Sequence, residues 1–143
     1  RMVATAKAGI PMVVSVGGLD FIDYSINELP KDIDKRQYNL HNPGIAHIKI
    51  LPHEAKEIGK IYAQYLNNAK SHVVLLLPTD GMRSATQKGE SLYNPEVDKI
   101  LMDSITENLN SNIEVKEIIG NLDNKEWGAR AAREILRIIN KKD

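Results

Sequence analysis

The sequence predicts an α/β fold, a three-layer Rossmann-like lobe in which a mainly parallel sheet carries helices on both faces. Residues 11–16 ("PMVVSV") and 73–77 ("VVLLL") are short apolar runs without polar alternation, which is typical of strands covered on both faces. A segment with helical periodicity follows each run. This alternation of strand and helix is the pattern of a parallel α/β sheet.

The first half of the chain contains two predicted helical segments. The opening residues ("RMVATAKAGI") have the pattern of a helix that ends at Gly9, where a glycine can adopt a left-handed stop conformation. Residues 52–69 repeat apolar side chains at steps of three, one and three, which predicts a helix with one apolar stripe. The stripe comprises Ala55, Ile58, Ile61, Tyr62, Tyr65, Leu66 and Ala69.

Two further helices are predicted in the second half. Asn94 can cap a helix and Pro95 suits its first position, so a helix is expected to begin there. The last helix is predicted to run from 126 to 140 and to finish in Lys141-Lys142. Its predicted buried residues are Trp127, Ile135, Leu136 and Ile139.

The remaining segments predict an edge strand and an irregular connection. Residues 113–119 ("IEVKEII") alternate apolar and charged side chains, which indicates a strand near the edge of the sheet. Residues 35–54 read as one irregular stretch that ends in the first turn of the following helix, with His53 and Glu54 in that turn. His72 is predicted to begin the central strand.

Composition limits the classes of function. A chain of 143 residues with 42% hydrophobic content suits a single lobe over residues 1–143. The 19 basic residues balance the 19 acidic ones, which argues against a nucleic-acid partner. The absence of cysteine excludes disulfides and thiolate chemistry. The longest apolar run is too short to cross a bilayer, so no membrane partner and a cytoplasmic location are expected.

Two glycine-containing loops follow predicted strands and form the candidate ligand site. Gly17 and Gly18 follow the first strand, and residues 78–90 ("PTDGMRSATQKGE") contain the loop that follows the central strand. Ligands of parallel α/β sheets bind beyond the carboxyl ends of the strands, so both loops are expected on one rim. The second loop offers anion-binding groups at Gly81, Arg83 and Ser84. The alternative is that both loops are simple turns.

Other candidate groups support fewer chemical interpretations. Asp20 could bind a ribose hydroxyl, or it could cap the segment "FIDYSI". His41, His47 and His53 are spaced by six and six, which matches no common zinc pattern, so no metal is expected. No G-x-S-x-G motif accompanies the serines, and catalytic residues are left unassigned.

Three arginines of the last helix raise a separate possibility. Arg130, Arg133 and Arg137 recur at steps of three and four. Such a stripe could bind an acidic partner, or it could be a solvated helix face that complements the helix C-terminus.

Four blocks in order resemble a known family. They are "AKAGIPMVVSVGGLDFIDY", "RQYNLHNPGIAHIKILPHEAKEIG", "LLLPTDGMRSA" and "GESLYNPEVD". They keep the order and rough spacing of the C-terminal half of the Tm-one-like ATP-binding family. The resemblance covers nearly the whole chain. It implies that the chain is the C-terminal lobe of a longer protein with two α/β lobes.

The resemblance also implies a ligand and a set of contacts. Family members bind ATP, with Mg²⁺, mostly through a loop of the N-terminal lobe near the cleft between lobes. The family's blocks place the contacts of this lobe on Gly17, Gly18, Leu19, Asp20, Arg36, His41, Asn42, Pro43, Pro78 and Gly81. Lys49 stands where the family commonly has an arginine, which keeps the charge without the bidentate fork.

Two functions are therefore carried forward. In the first, the chain contributes strand-end loops to an interlobe cleft for a nucleotide or another small molecule, with Arg36, Lys49 or Arg83 at the anionic group. In the second, the lobe is a scaffold that oligomerises or docks a partner, and its loops only turn. The expected partners are the N-terminal lobe of the same chain and a second copy, because apolar surface would be left uncovered.

Overall fold

The computed structural model describes residues 2–140. It contains four α-helices and six strands within that range. In chain order these are α1 (Met2–Ala8), β1 (Met12–Ser15), β2 (Phe21–Ser25), β3 (Tyr38–Asn42), β4 (Ile45–Lys49), α2 (Pro52–Asn67), β5 (Val73–Pro78), α3 (Pro95–Glu107), β6 (Glu114–Ile118) and α4 (Lys125–Ile139).

A parallel sheet with the order β1-β5-β6 confirms the predicted α/β fold. β5 lies between β1, which pairs through Met12 with Val73, and β6, which pairs through Glu114 with Val74. All six residues of β5 are buried. The central strand therefore has protein on both faces and at both edges, which explains its unbroken apolar sequence.

Helices cover both faces of this sheet. Leu75 and Leu77 of β5 belong to a core formed with α2 and α3, whereas Val74 and Leu76 belong to a second core with Trp127 of α4. Successive side chains of a strand point to opposite faces, so β5 supplies both cores. The three layers agree with the Rossmann-like prediction.

The predicted apolar stripes of two helices are partly wrong. On α4, Leu136 and Ile139 are 54% and 55% exposed, and Ile138 is the buried residue of the last turn. On α2, Ile61 and Tyr65 are also exposed. The buried face of each helix is therefore narrower than its apolar face. Lys141 and Lys142 lie outside the described residues.

A second, antiparallel sheet was not predicted. Its order is β2-β4-β3. The segment after Asp20 is a strand, so the prediction that Asp20 caps it is wrong, and residues 35–54 contain a hairpin instead of an irregular stretch. Asn42 forms the turn by accepting a hydrogen bond from the Gly44 amide at 2.8 Å. The strands were missed because polar side chains occupy buried positions in β4.

The antiparallel sheet sits at the carboxyl end of β1. β1 ends at Ser15 and β2 starts at Phe21, while β4 leads into α2 at Pro52. The register pairs Phe21 with Lys49 and Asp23 with His47, which puts these four side chains on one face. The second sheet thus brings a polar face to the rim of the first.

An ion-pair network fixes β6 to α4. Arg137 lies 2.6 Å from Glu114 and 2.7 Å from Glu134, and Lys116 lies 2.8 Å from Glu134. Arg137 and Lys116 lower the pKa of Glu114 to about 2. Arg130 and Arg133 lie only near the exposed Glu126, at 3.9 and 3.8 Å. Arg137 therefore has a structural contact, whereas the other two arginines lie on the solvated face.

No helix within residues 2–140 combines the length and the hydrophobicity that crossing a membrane requires.

Gly59 allows α2 and α3 to approach closely. A β-carbon at Gly59 would lie 2.6 Å from the Ser104 Cβ, and the Ser104 hydroxyl donates to the Lys56 carbonyl at 2.7 Å. We expect Gly59→Ala to lower the free energy of unfolding by about 2 kcal/mol, because overpacking outweighs the better helix propensity of alanine. Urea denaturation measures this change.

Gly128→Ala is the matched control, since Gly128 lies on α4 with open space around it. This substitution should raise the free energy of unfolding by about 0.5–1 kcal/mol through propensity alone. If both alanines stabilised the protein, the close helix contact would be contradicted.

Candidate ligand site at the strand ends

The carboxyl ends of β1 and β5 open onto a rim formed by three parts of the chain. The Gly17-Gly18 turn joins β1 to β2, residues 79–94 join β5 to α3, and the antiparallel sheet covers one side. The structure therefore brings the two predicted glycine loops to the same end of the parallel sheet. Whether they bind a ligand remains a prediction.

A buried lysine between two aspartates forms the centre of this rim. Lys49 Nζ lies 3.1 Å from Asp20 Oδ2 and 2.5 Å from Asp98 Oδ1. The exposed fractions are 2% for Lys49, 0% for Asp20 and 5% for Asp98. Asp20 Oδ1 has no hydrogen-bond partner within residues 2–140. We call these three residues the buried triad.

The buried triad carries more acid than base. Burial raises the pKa of Asp98, Lys49 lowers it, and the nearby Asp20 raises it further, with an upward net direction. With both carboxyls ionised the triad would hold one uncompensated negative charge. Because burial disfavours the charged carboxylate and Asp20 adds a like charge, folding favours the protonated form of Asp98.

Arg83 forms a second cluster on the polar face of the antiparallel sheet. Its guanidinium carbon lies 3.8 Å from the centroid of the Phe21 ring, and Nη2 lies 2.8 Å from Nδ1 of His47. Nε is buried and has no partner among the described residues. Phe21 and His47 thus hold the guanidinium in one place.

The contacts of His47 assign its tautomer. Nδ1 accepts from Arg83, so Nε2 carries the proton and faces Asp23 Oδ1 at 3.2 Å. Burial and the Arg83 charge lower the pKa of His47. His41 stacks on His47 with ring centroids 4.3 Å apart. A neutral histidine therefore connects Arg83 to the solvent-facing His41 and Asp23. We call Arg83, His47, Phe21, His41 and Asp23 the arginine cluster.

Arg36 already binds carboxylates. Its guanidinium makes two hydrogen bonds to Glu54, at 2.7 and 2.8 Å, and a third to Asp32 at 2.9 Å. Glu54 also accepts the Leu51 amide at the start of α2, and Arg36 lowers the pKa of Glu54. Arg36 thus connects the segment before β3 to α2, and Lys49 is likewise paired inside the buried triad.

The amides of the loop after β5 are used within the protein. Those of Met82 and Arg83 both donate to the Thr86 hydroxyl at 3.1 Å, and that of Ser84 donates to Asp123 at 2.8 Å. Gly81 has a φ of +71°, and a β-carbon there would meet the Thr86 carbonyl oxygen at 3.0 Å. A glycine is therefore needed at position 81 because the loop folds back tightly against Thr86.

A cavity of about 380 Å³ lies between this loop and the start of α3. Its polar lining includes Thr79, Asp80, Gln87, Lys88 and Asp98. Met82, Tyr93 and Met102 contribute apolar or aromatic surface. We call it the β5–α3 cavity. It places one carboxyl of the buried triad within reach of a small molecule.

The sequence analysis missed Phe21 and Asp23, and it considered His47 only as a metal ligand. The signal that could have placed His47 is the alternation of Ile45, His47 and Lys49, which indicates one face of a strand. Within residues 2–140, no three His, Asp or Glu side chains are grouped as metal ligands would be.

Comparison with known proteins gives a family match over nearly the whole chain. Residues 1–139 match the model described as the C-terminal domain of an uncharacterised protein family, UPF0261. The chain is similar to a UPF0261 protein of Clostridium tetani, 29% identical over 99% of this chain and 35% of that protein. A UPF0261 protein of Brucella suis is 28% identical over 92% of the chain and 32% of its own length.

A plant protein is also similar. The ToMV resistance protein Tm-1 of Solanum lycopersicum is 29% identical over 71% of this chain and 14% of its own length. The predicted resemblance to this group is thereby confirmed, while ATP binding stays a prediction. The chain spans about a third of the length of the bacterial relatives described above.

The two rim glycines should respond differently to alanine. Both have positive φ, which costs an alanine about 1–2 kcal/mol. Of the two, only at Gly81 would the added β-carbon also lie close to a carbonyl oxygen, that of Thr86 at 3.0 Å. We expect Gly81→Ala to lower the free energy of unfolding by about 3 kcal/mol and Gly18→Ala by about 1 kcal/mol. Guanidinium denaturation of both variants measures the difference, and equal losses would disprove the steric explanation.

Two carboxyl variants should show opposite trends with pH. The pKa of Asp98 lies above its unfolded value of about 3.9, so its unfavourable contribution grows as the pH rises from 4. The pKa of Glu114 is lowered to about 2, so its favourable contribution is complete above about pH 4.5 and disappears towards pH 2.

Relative to the native protein, Asp98→Asn should therefore gain stability between pH 4 and pH 7. Glu114→Gln should lose relative stability between pH 2 and pH 5. Urea denaturation across the pH range measures both trends. A flat profile for Asp98→Asn would show that Asp98 ionises in the folded protein as it does in the unfolded chain.

Proposed function

Since the chain belongs to the uncharacterised protein family UPF0261 as its C-terminal domain, we propose that it contributes Arg83 to a cleft that binds the phosphates of a nucleotide. The proposed ligand is ATP with Mg²⁺, most of whose contacts come from another lobe of the longer protein. This remains a proposal for the whole protein, because the chain spans about a third of its bacterial relatives.

The observation that carries the proposal is the state of Arg83. Of the three cations considered for the anionic group, Arg36 and Lys49 are paired with carboxylates. Within the described residues, Arg83 has no carboxylate oxygen within 4.0 Å, and its buried Nε has no partner. A guanidinium held in place and not neutralised favours binding of an anion, because the cost of ordering the side chain is already met.

The location of Arg83 supports the same conclusion. It lies in the loop after β5, at the strand end where ligands of parallel α/β sheets bind. Ser84 follows it with an exposed side chain, and Asn42 and His41 lie at the open end of the antiparallel sheet. Phosphate oxygens bound at Arg83 would therefore face a polar surface.

The second candidate function is an assembly module that forms a homodimer. The observation that favours it is the exposure of apolar side chains at the end of α4, where Leu136 and Ile139 are 54% and 55% exposed. In that case the arginine cluster would only hold the antiparallel sheet to the rim. Sedimentation of the chain as a 16.0 kDa monomer at high concentration would contradict the dimer.

An NMR titration of the longer protein, whose other lobe supplies the remaining contacts, tests the role of Arg83. We expect ATP to shift the Nε–H resonance of Arg83, and adenosine, which lacks phosphate, to leave it in place. Arg83→Gln should weaken ATP binding by about tenfold or more, because a charge-assisted hydrogen bond contributes about 1.5–3 kcal/mol.

Arg130→Gln is the matched control, since Arg130 is a half-exposed arginine on α4 with its nearest carboxylate at 3.9 Å. ATP binding by this variant should equal that of the native chain. If saturating ATP left the Arg83 resonance unshifted, or if both glutamine variants bound ATP equally, the proposal would be wrong.

A further inference from the structure

We propose that the β5–α3 cavity binds a small organic amine, whose ammonium group pairs with Asp98 while its apolar body lies against Tyr93 and the methionines. This site differs from the phosphate position at Arg83, and it does not depend on the proposed function. Its basis is the charge balance of the buried triad.

The first step is the count of charges. Lys49 Nζ faces Asp20 at 3.1 Å and Asp98 at 2.5 Å, so one ammonium serves two carboxyls. Asp20 is fully buried, whereas 8% of the Asp98 side chain stays accessible. The unbalanced charge can therefore be compensated from outside only at Asp98. A buried charge needs a partner, and a ligand cation supplies one.

The second step is the place where Asp98 is accessible. It lines the β5–α3 cavity, whose volume of about 380 Å³ lies within the range of small-molecule sites. The exposed Asp80 gives a second carboxylate in the lining. Lys88 is the one cation of that lining, and its side chain is exposed. The acidic groups thus outnumber the basic one around the cavity.

The third step is the chemistry of the remaining lining. Met82, Tyr93 and Met102 offer thioether and aromatic surface, which suits an apolar body. Thr79 and Gln87 add neutral polar groups. A ligand with a carboxylate group would be repelled by the Asp80 and Asp98 carboxylates, so anionic ligands are disfavoured. The lining therefore selects for an amine that carries an apolar group.

The charged and titratable groups that face Asp98 set the pH dependence. They are Lys49 from β4, Asp20 from the turn before β2, and Asp80, Lys88 and Tyr93 from the loop after β5. Burial raises the pKa of Asp98, and an ammonium pairs only with its ionised form. Protonation of Asp98 removes the partner of the ammonium, so the affinity should fall as the pH decreases towards 4.

The experiment is an NMR titration of the native chain with three probes of one shape. Benzylamine should shift the amide resonances of residues 79–82 and 96–98, while benzyl alcohol and benzoate should shift them little. Asp98→Asn should weaken benzylamine binding by about tenfold or more. Asp103→Asn is the matched control, because Asp103 lies on the same helix and pairs with Lys99 at the surface.

The possible outcomes separate this inference from the proposed function. Arg83→Gln should keep benzylamine binding even if it abolishes ATP binding. Binding of benzoate as tight as that of benzylamine, or full benzylamine affinity in Asp98→Asn, would overturn the inference. If Asp98→Asn fails to fold, the native chain still decides, because an affinity that does not fall towards pH 4 contradicts pairing with the Asp98 carboxylate.

Discussion

The ammonium group of Lys49 connects the parts of the chain on which the rest of the rim depends. It joins β4, the central strand of the antiparallel sheet, to the turn after β1 through Asp20. It also joins β4 to the first turn of α3 through Asp98. Removing Lys49 would leave two buried carboxyls without a cation, and an uncompensated buried charge costs about 3–5 kcal/mol. The antiparallel sheet therefore keeps its place on the rim through electrostatics as well as through main-chain pairing.

The cations of the rim fall into two groups, according to whether a carboxylate pairs with them. Arg36 and Lys49 are bound by carboxylates and organise the structure. Arg83 is held by an aromatic ring and a neutral histidine, neither of which cancels its charge. A positive charge that is positioned but not neutralised can attract an anion, whereas a paired one must first lose its partner.

The sequence alone predicted the parallel sheet and most helix bounds because those elements follow simple periodicities. β5 is apolar throughout, and the Asn94 side chain caps α3 as expected, accepting the Val97 amide. The antiparallel sheet could not be predicted in this way. Lys49 can be buried in a strand because Asp20 and Asp98 pair with its ammonium group. These partners lie 29 and 49 residues away in sequence, and no local pattern reveals them.

For the candidate site, the sequence likewise indicated residue types in loops but not their tertiary contacts. Arg83 and Gly81 were chosen as candidates from the loop composition, but the contacts of Arg83 with Phe21 and His47 depend on the register of β2 and β4. Residue types indicate which groups could meet a ligand. Only tertiary contacts show which of them are already occupied.

The contact at Gly59 limits how this domain can move. α2 and α3 touch at a position with no room for a methyl group, and the Ser104 hydroxyl links them at the same level. Two helices locked in this way resist sliding past each other. Since α2 follows β4 and α3 carries Asp98, this contact ties together the elements that hold Lys49 and Asp98. Closure of this lobe over a bound molecule would then involve its loops, and not shear between these helices.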